Sequence, residues 1–240
     1  MVSGDMSQGP RIAVIGQSHV QALRRGMGAD GRFAVVDTNG LAPAWVGEDG
    51  RVTAAFLARY PRDMACVSMV GGNFHTSFGL VEHERRFDFF CPFSAEAGVE
   101  AGREIIPFGL VATCFRRVLE ASMFGPMTQL REHFTGAMVH VCSPPMLPPA
   151  WHVERHPNLF GGKLANGVAP QGVRQKLYDL HTALVREHCA AIGARFLPPP
   201  DEALDAQGRL LERYWADDPS HGNAAYGALV HQQLLEALGL

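Results

Sequence analysis

The chain has 240 residues, 47% hydrophobic and 19% charged, which suits one globular α/β domain and leaves little room for a second. Its formal net charge is -3, and its arginines cluster only as isolated doublets at 24–25, 85–86 and 116–117. That pattern offers no basic face for nucleic acid, and no apolar run is long enough to span a bilayer.

Residues 1–10 read as a flexible polar tail. They lack the positive n-region and apolar h-region of a secretory leader, so the expected compartment is the cytoplasm. A single domain follows over 11–240. Five short apolar runs read as strands, at 11–15, 32–37, 64–70, 137–142 and 194–197, nearly unbroken as strands buried on both faces are. Helical patterns alternate with them, at 19–27, 53–60, 108–122, 171–192 and 223–238, with Gly239 as a stop for the last. This alternation predicts an α/β fold: a flavodoxin-like three-layer α/β/α sandwich around a five-stranded parallel sheet of order 2-1-3-4-5. Two long irregular stretches remain, about 74–107 and 143–170. The first is rich in Phe and the second in Pro, with Trp151. Both follow strands, so both belong at the carboxyl edge of the sheet, where such folds bind ligands.

The five cysteines are widely spaced and contain no C-x-x-C pair. They suggest neither a disulfide framework nor a zinc site, and Cys66 and Cys142 fall in apolar runs as core residues do.

Three short motifs sit where chemistry is expected. Gly16-Gln17-Ser18-His19 follows the first strand, and a serine at a strand-to-helix turn presents its hydroxyl and its N–H together. Ser is also an ordinary helix N-cap. Gly71-Gly72-Asn73 follows the third strand; the Asn73 amide can donate to an oxyanion, although Gly and Asn also dominate plain turns. Asp217-Asp218-Pro219-Ser220-His221 precedes the last helix. Asp218 and His221 are three apart, so in a first helical turn they share a face, and a carboxylate can then hold the imidazole tautomer. An Asp N-cap with Pro at the first helical position is an equally normal helix start. What favours chemistry is that all three motifs converge on one edge of the sheet.

In this order the blocks resemble those of the SGNH (GDSL-like) hydrolase superfamily. The first block, Ile15-Gly16-Gln17-Ser18-His19, supplies Ser18, and Gly71-Gly72-Asn73 supplies Asn73. Asp218-Pro219-Ser220-His221 matches the D-x-x-H block and continues as Gly222-Asn223. The glycine block falls best on Gly40, in Asn39-Gly40 after strand two. Gln17 and Phe74 depart from the usual pattern. The resemblance implies a serine ester hydrolase, a carboxylesterase or O-deacylase acting on a small-molecule or glycan ester. Ser18, His221 and Asp218 would be its triad, the Ser18 N–H, Gly40 N–H and Asn73 side chain its oxyanion donors. No metal or organic cofactor is required. The Ser18-His19 pair is similar to SGNH domains acting on acylated glycans. His19 and His75, beside these positions, are candidates for substrate binding, and Asp217 is the alternative acid. The two long loops are expected to wall an acyl or leaving-group pocket.

Acyl transfer to an alcohol would use the same residues, and a catalytically silent binding module on the same scaffold remains a further reading. A nucleotide-binding flavodoxin-like protein is disfavoured, because G-x-G-x-x-G and Walker A patterns are absent.

Overall fold

The computed structural model describes residues 9–42, 44–95 and 98–240. The first eight residues of the expected tail lie outside them. Five strands, β1 (Ile12–Gly16), β2 (Phe33–Asp37), β3 (Ala65–Met69), β6 (Met138–Val141) and β7 (Arg195–Leu197), pair in parallel in the order β2-β1-β3-β6-β7. A separate pair of two-residue strands, β4 (Phe87–Asp88) and β5 (Glu104–Ile105), lies within the 74–107 stretch. Counting the main sheet alone, the order is the expected 2-1-3-4-5.

The helices are α1 (Val20–Met27), α2 (Ala54–Leu57), α3 (Phe74–Gly79), α4 (Phe108–Leu119), α5 (Gly125–His133), α6 (Ala150–Arg155), α7 (Gln171–Ala191) and α8 (Ala224–Leu238). Alternate residues of β1 serve two cores, because successive side chains of a strand point to opposite faces. Ile12 and Val14 pack with Val20 and Leu23 of α1 and with Val230 and Leu234 of α8. Ala13 and Ile15 pack with Phe115 of α4, Leu130 of α5 and Leu177 and Leu180 of α7. Cys66 lies in the second core, and Cys142 is also buried. Among the described residues, no helix is long and apolar enough to cross a membrane.

Three expectations are corrected. The helix expected at 53–60 is only Ala54–Leu57, because after Ala58 the chain tightens into i→i+3 bonds from Arg59 and Tyr60 before Pro61. The helix expected to stop at 122 instead widens into a π-helical turn, Glu120–Phe124, and continues as α5. Pro126 lacks the N–H that an unbroken helix would direct at Ser122, and a widened turn directly before it accommodates the loss. The two long stretches are not wholly irregular either: they hold α3, β4 and β5, and then α6 and a 3-10 segment at Asn158–Asn166.

Buried charge staples the first of these stretches to α7. Lys176 donates to Asp88 at 2.7 Å and to the Gly98 carbonyl at 2.5 Å, and Asp88 also accepts the Phe89 and Glu100 N–H groups. Glu82 pairs with Arg103 nearby. Such charges persist in a core only when paired and hydrogen-bonded this fully.

α1 and α8 meet backbone to backbone. A Cβ at Gly227 would lie 1.8 Å from the Ala22 carbonyl oxygen, and one at Gly26 would lie 2.2 Å from the Ala228 nitrogen. Ser18 leads into α1 and His221 leads into α8, so this contact sets the distance between them. Gly227→Ala is expected to push the helices apart, lowering stability by about 3 kcal/mol as overpacking does. It should also slow Ser18 labelling by an active-site-directed probe. Thermal unfolding alongside labelling kinetics checks this; an unchanged Tm would contradict it.

Candidate active site

Ser18 sits at the turn between β1 and α1, where β1 ends against a neighbour that tolerates only glycine at 16: a Cβ there would lie 2.4 Å from the Met69 carbonyl oxygen. His19, not Ser18, occupies the N-cap position of α1. The Ser18 hydroxyl is instead engaged across the edge, with Oγ 2.6 Å from His221 Nε2. His221 Nδ1 lies 2.9 Å from both Asp218 carboxylate oxygens. With Nδ1–H donating to Asp218, Nε2 carries the lone pair and the Ser18 O–H donates to it.

The Asp218–His221 segment is not the first turn of α8, as the spacing suggested. Asn223 caps α8, accepting from the Ala225 and Tyr226 N–H groups. Asp218 instead closes a turn of its own, Oδ1 accepting the N–H groups of Ser220 at 2.8 Å and His221 at 2.9 Å. That turn fixes the His221 ring, because its backbone N–H groups grip the same carboxylate that holds Nδ1. Burial raises the Asp218 carboxyl. The His221 hydrogen bond and charge and these backbone N–H groups outweigh it, leaving a pKa of about 2. Asp217, the alternative acid, is exposed.

Asn73 reaches the same place from the end of β3. Gly71 and Gly72 both adopt positive φ, 76° and 116°. Gly72 at 116° is a conformation only glycine takes readily, and a Cβ there would lie 3.1 Å from Ser143 Oγ and 3.4 Å from the His19 ring. Gln17 Oε1 accepts the Gly71 N–H at 2.7 Å, tying this turn to the turn that carries Ser18. Ser143 donates to the Gly72 carbonyl at 2.7 Å and Tyr178 donates to the Ser143 carbonyl at 3.0 Å. His19 is buried, its Nε2 2.7 Å from Asn73 Oδ1 and its ring centroid 4.7 Å from that of His221.

A cleft of about 240 Å³ opens here, lined by Ser18, Gly72 and Asn73 on the polar side and by Phe74, Leu119 and Met123 on the apolar side. Leu119 is the last residue of α4 and Met123 comes from the π-helical turn, so the widened turn supplies part of the wall. A larger hollow, about 500 Å³, is lined by Asp49, Arg51, Arg62, Gln129 and Glu132 around α2 and α5; Ser18 and His221 are not part of it.

Two expected members are displaced. Gly40 does not line the cleft; it is exposed in the turn where Leu41 N–H closes back on the Thr38 carbonyl. His75 is 3% exposed, with its ring 5.0 Å from that of His181 and 5.1 Å from that of Tyr178, so it lies in the layer beneath the cleft. The expected aromatic wall is also smaller. Phe74 alone of the Phe-rich stretch lines the cleft; Phe87 and Phe89 are core, and Phe90 and Phe93 face outward. Trp151 is half-exposed on the Asp218 side, its ring 6.4 Å from Trp215, while its neighbour His152 holds the Asp218 carbonyl at 3.2 Å.

Sequence reasoning missed Gln17 as a tie, Ser143 as a latch, His152 as a brace, and the Leu119–Met123 wall. Pro126 inside a helical pattern was the available signal for the last. The others are single polar residues with no local pattern.

No protein-family model matches the chain, and no curated protein matches it significantly. Solved structures similar to it include three of low sequence identity. The periplasmic domain of a lipopolysaccharide acetyltransferase from Salmonella ser. Paratyphi A is 10% identical, covering 98% of this chain and 85% of that one, with a TM-score of 0.51. A protein from Lactobacillus plantarum is 16% identical (97% and 98% covered, TM-score 0.47), and an extracellular lipase from Streptomyces rimosus is 11% identical (96% and 100%, TM-score 0.45). At these identities the likeness concerns the fold, and only the first is close enough to bear on it.

Proposed function

We propose that this protein is a serine hydrolase acting on a small ester, with Ser18 as nucleophile, His221 as general base and acid, and Asp218 as its orienting carboxylate. The observation that carries this reading is the continuous hydrogen-bonded chain from Ser18 Oγ through His221 to Asp218, opening on a cleft that Asn73 also lines. Ser18 attacks the ester carbonyl while His221 Nε2 takes the hydroxyl proton. The carbonyl oxygen becomes an oxyanion, which the Ser18 N–H at the start of α1 and the Asn73 amide bind. His221 returns the proton to the departing alcohol. Water then repeats the sequence on the acyl-enzyme and releases the acid. With Gly40 outside the cleft, two donors carry the oxyanion in this scheme. The cleft volume of about 240 Å³ suits a short acyl group.

A fluorophosphonate probe tests the nucleophile. The wild type should label and Ser18→Ala should not, and p-nitrophenyl esters should lose turnover as the acyl chain lengthens from acetyl to octanoyl. An unlabelled wild type that leaves these esters intact would instead favour a binding module on this scaffold. Likeness of fold to an acetyltransferase domain supports a second reading, transfer of the acyl group to an alcohol. Added alcohol acceptors that raise the rate of acyl-enzyme breakdown and yield a new ester would favour it.

A further inference from the structure

A carboxamide has two ends of nearly equal shape and opposite hydrogen-bonding character. If the Asn73 oxygen faced the cleft it would repel an oxyanion; if the NH₂ group faces it, the oxyanion is bound. Something must choose between the two. Position 19 supplies that choice. The His19 ring is 5% exposed and packs against Gly72, the residue before Asn73, with Nε2 placed 2.7 Å from Asn73 Oδ1. A neutral imidazole has one N–H and one lone pair, so a proton on Nε2 permits only donation to the carboxamide oxygen. The NH₂ group is then left for the cleft.

We propose that His19 is a positioning residue, its Nε2–H clamping the Asn73 carboxamide so that the NH₂ group meets the acyl oxygen. This rests on the hydrolase reading above. The clamp must also be uncharged, because its ring centroid is 4.7 Å from that of His221, where an imidazolium forms during attack. Burial, reinforced by the neighbouring His221, lowers the His19 pKa to about 4 and keeps it neutral. Nucleophile and clamp are consecutive residues, so one turn delivers the Ser18 hydroxyl and orients the donor from the end of β3.

Four variants and one spectrum test the clamp. With p-nitrophenyl acetate, His19→Phe should lower kcat about 10²-fold at nearly unchanged KM, the scale of losing one oxyanion donor. Asn73→Ala should do the same, and the double variant should be no worse than Asn73→Ala alone, since both remove one interaction. His19→Gln places an amide N–H close to where Nε2–H stood and should recover most of the activity. Single losses that multiply in the double variant overturn the proposal. So does a His19→Gln variant no better than His19→Phe when both melt like the wild type. Independently of activity, ¹⁵N spectra of the imidazole should show the Nε2–H tautomer at His19; an Nδ1–H tautomer sinks the clamp even if the hydrolase reading holds. If Ser18→Ala matches the wild type in turnover, the hydrolase reading falls, and the catalytic role of the clamp falls with it.

Discussion

Asp218→Asn is expected to lower kcat on p-nitrophenyl acetate by about 10⁴-fold while leaving the fold intact. The asymmetry comes from what Asp218 holds. Its Oδ1 accepts the backbone N–H groups of Ser220 and His221, and both oxygens lie 2.9 Å from His221 Nδ1. An asparagine can keep its oxygen on the two backbone donors, so the turn survives. Its NH₂ group then faces Nδ1 and donates to it. That forces the proton onto Nε2, and a protonated Nε2 cannot take the Ser18 proton across the 2.6 Å hydrogen bond. His221→Ala should cost more, up to about 10⁶-fold, because the base itself is gone. Kinetics and thermal unfolding of the two variants check this together. A kcat for Asp218→Asn within tenfold of the wild type would assign the orienting role elsewhere, and the exposed Asp217 would be the next residue to change.

A second large effect concerns acid. Of the buried histidines among the described residues, four are held neutral by burial: His19, His75, His140 and His181. Burial is the leading cause in each. It lowers His19 and His181 to about 4 and His140 to about 3, and it takes His75 well below its ordinary value. In the unfolded chain each would titrate near 6.5, so the unfolded state binds more protons through this range. Their contribution to stability is therefore complete above about pH 6.5 and is lost as the pH falls toward 4. A histidine held near 4 rather than 6.5 withdraws on the order of 3 kcal/mol once fully titrated. Asp218 acts in a lower window, its contribution present above 3.8 and lost only as pH falls through about 2, so the two effects separate. The Tm is expected to drop steeply between pH 6.5 and 4.5.

His181 offers the clean variant. Neither of its ring nitrogens has a hydrogen-bond partner among the described residues. His181→Phe keeps the ring and removes one titrating group, so it should match or exceed the wild type at pH 7 and flatten the acid slope. Coincident slopes for the two proteins would rule the histidine explanation out.

The sheet was legible because its strands are apolar on both faces and its helices carry one-sided stripes. Local pattern therefore reports the layer each element joins. Boundaries failed where a local rule met a tertiary one. The helical pattern reads as ending at 122, yet packing of α4 and α5 into the core carries the helix on past Pro126 at the cost of a widened turn before it. The Phe-rich stretch reads as a pocket wall, because aromatic content marks burial without saying which cavity or core receives the ring. Phe74 meets the cleft, whereas Phe87 and Phe89 fill the interior.

Chain chemistry by itself pointed to the parallel order of the five strands and to the residue types at two strand ends and before the last helix: serine, asparagine, and a carboxylate three residues before a histidine. Each also had a capping or turn explanation that no spacing could remove. The tertiary structure adds what spacing could not: it places Ser18 Oγ 2.6 Å from His221 Nε2 across 203 positions of sequence, with α1 and α8 in glycine contact beneath them. It also moved Gly40 out of the cleft, sank His75 beneath it and set His19 on Asn73. Those outcomes depend on where a side chain points after the layers pack, and that direction is a property of the packed layers, absent from any local stretch of chain.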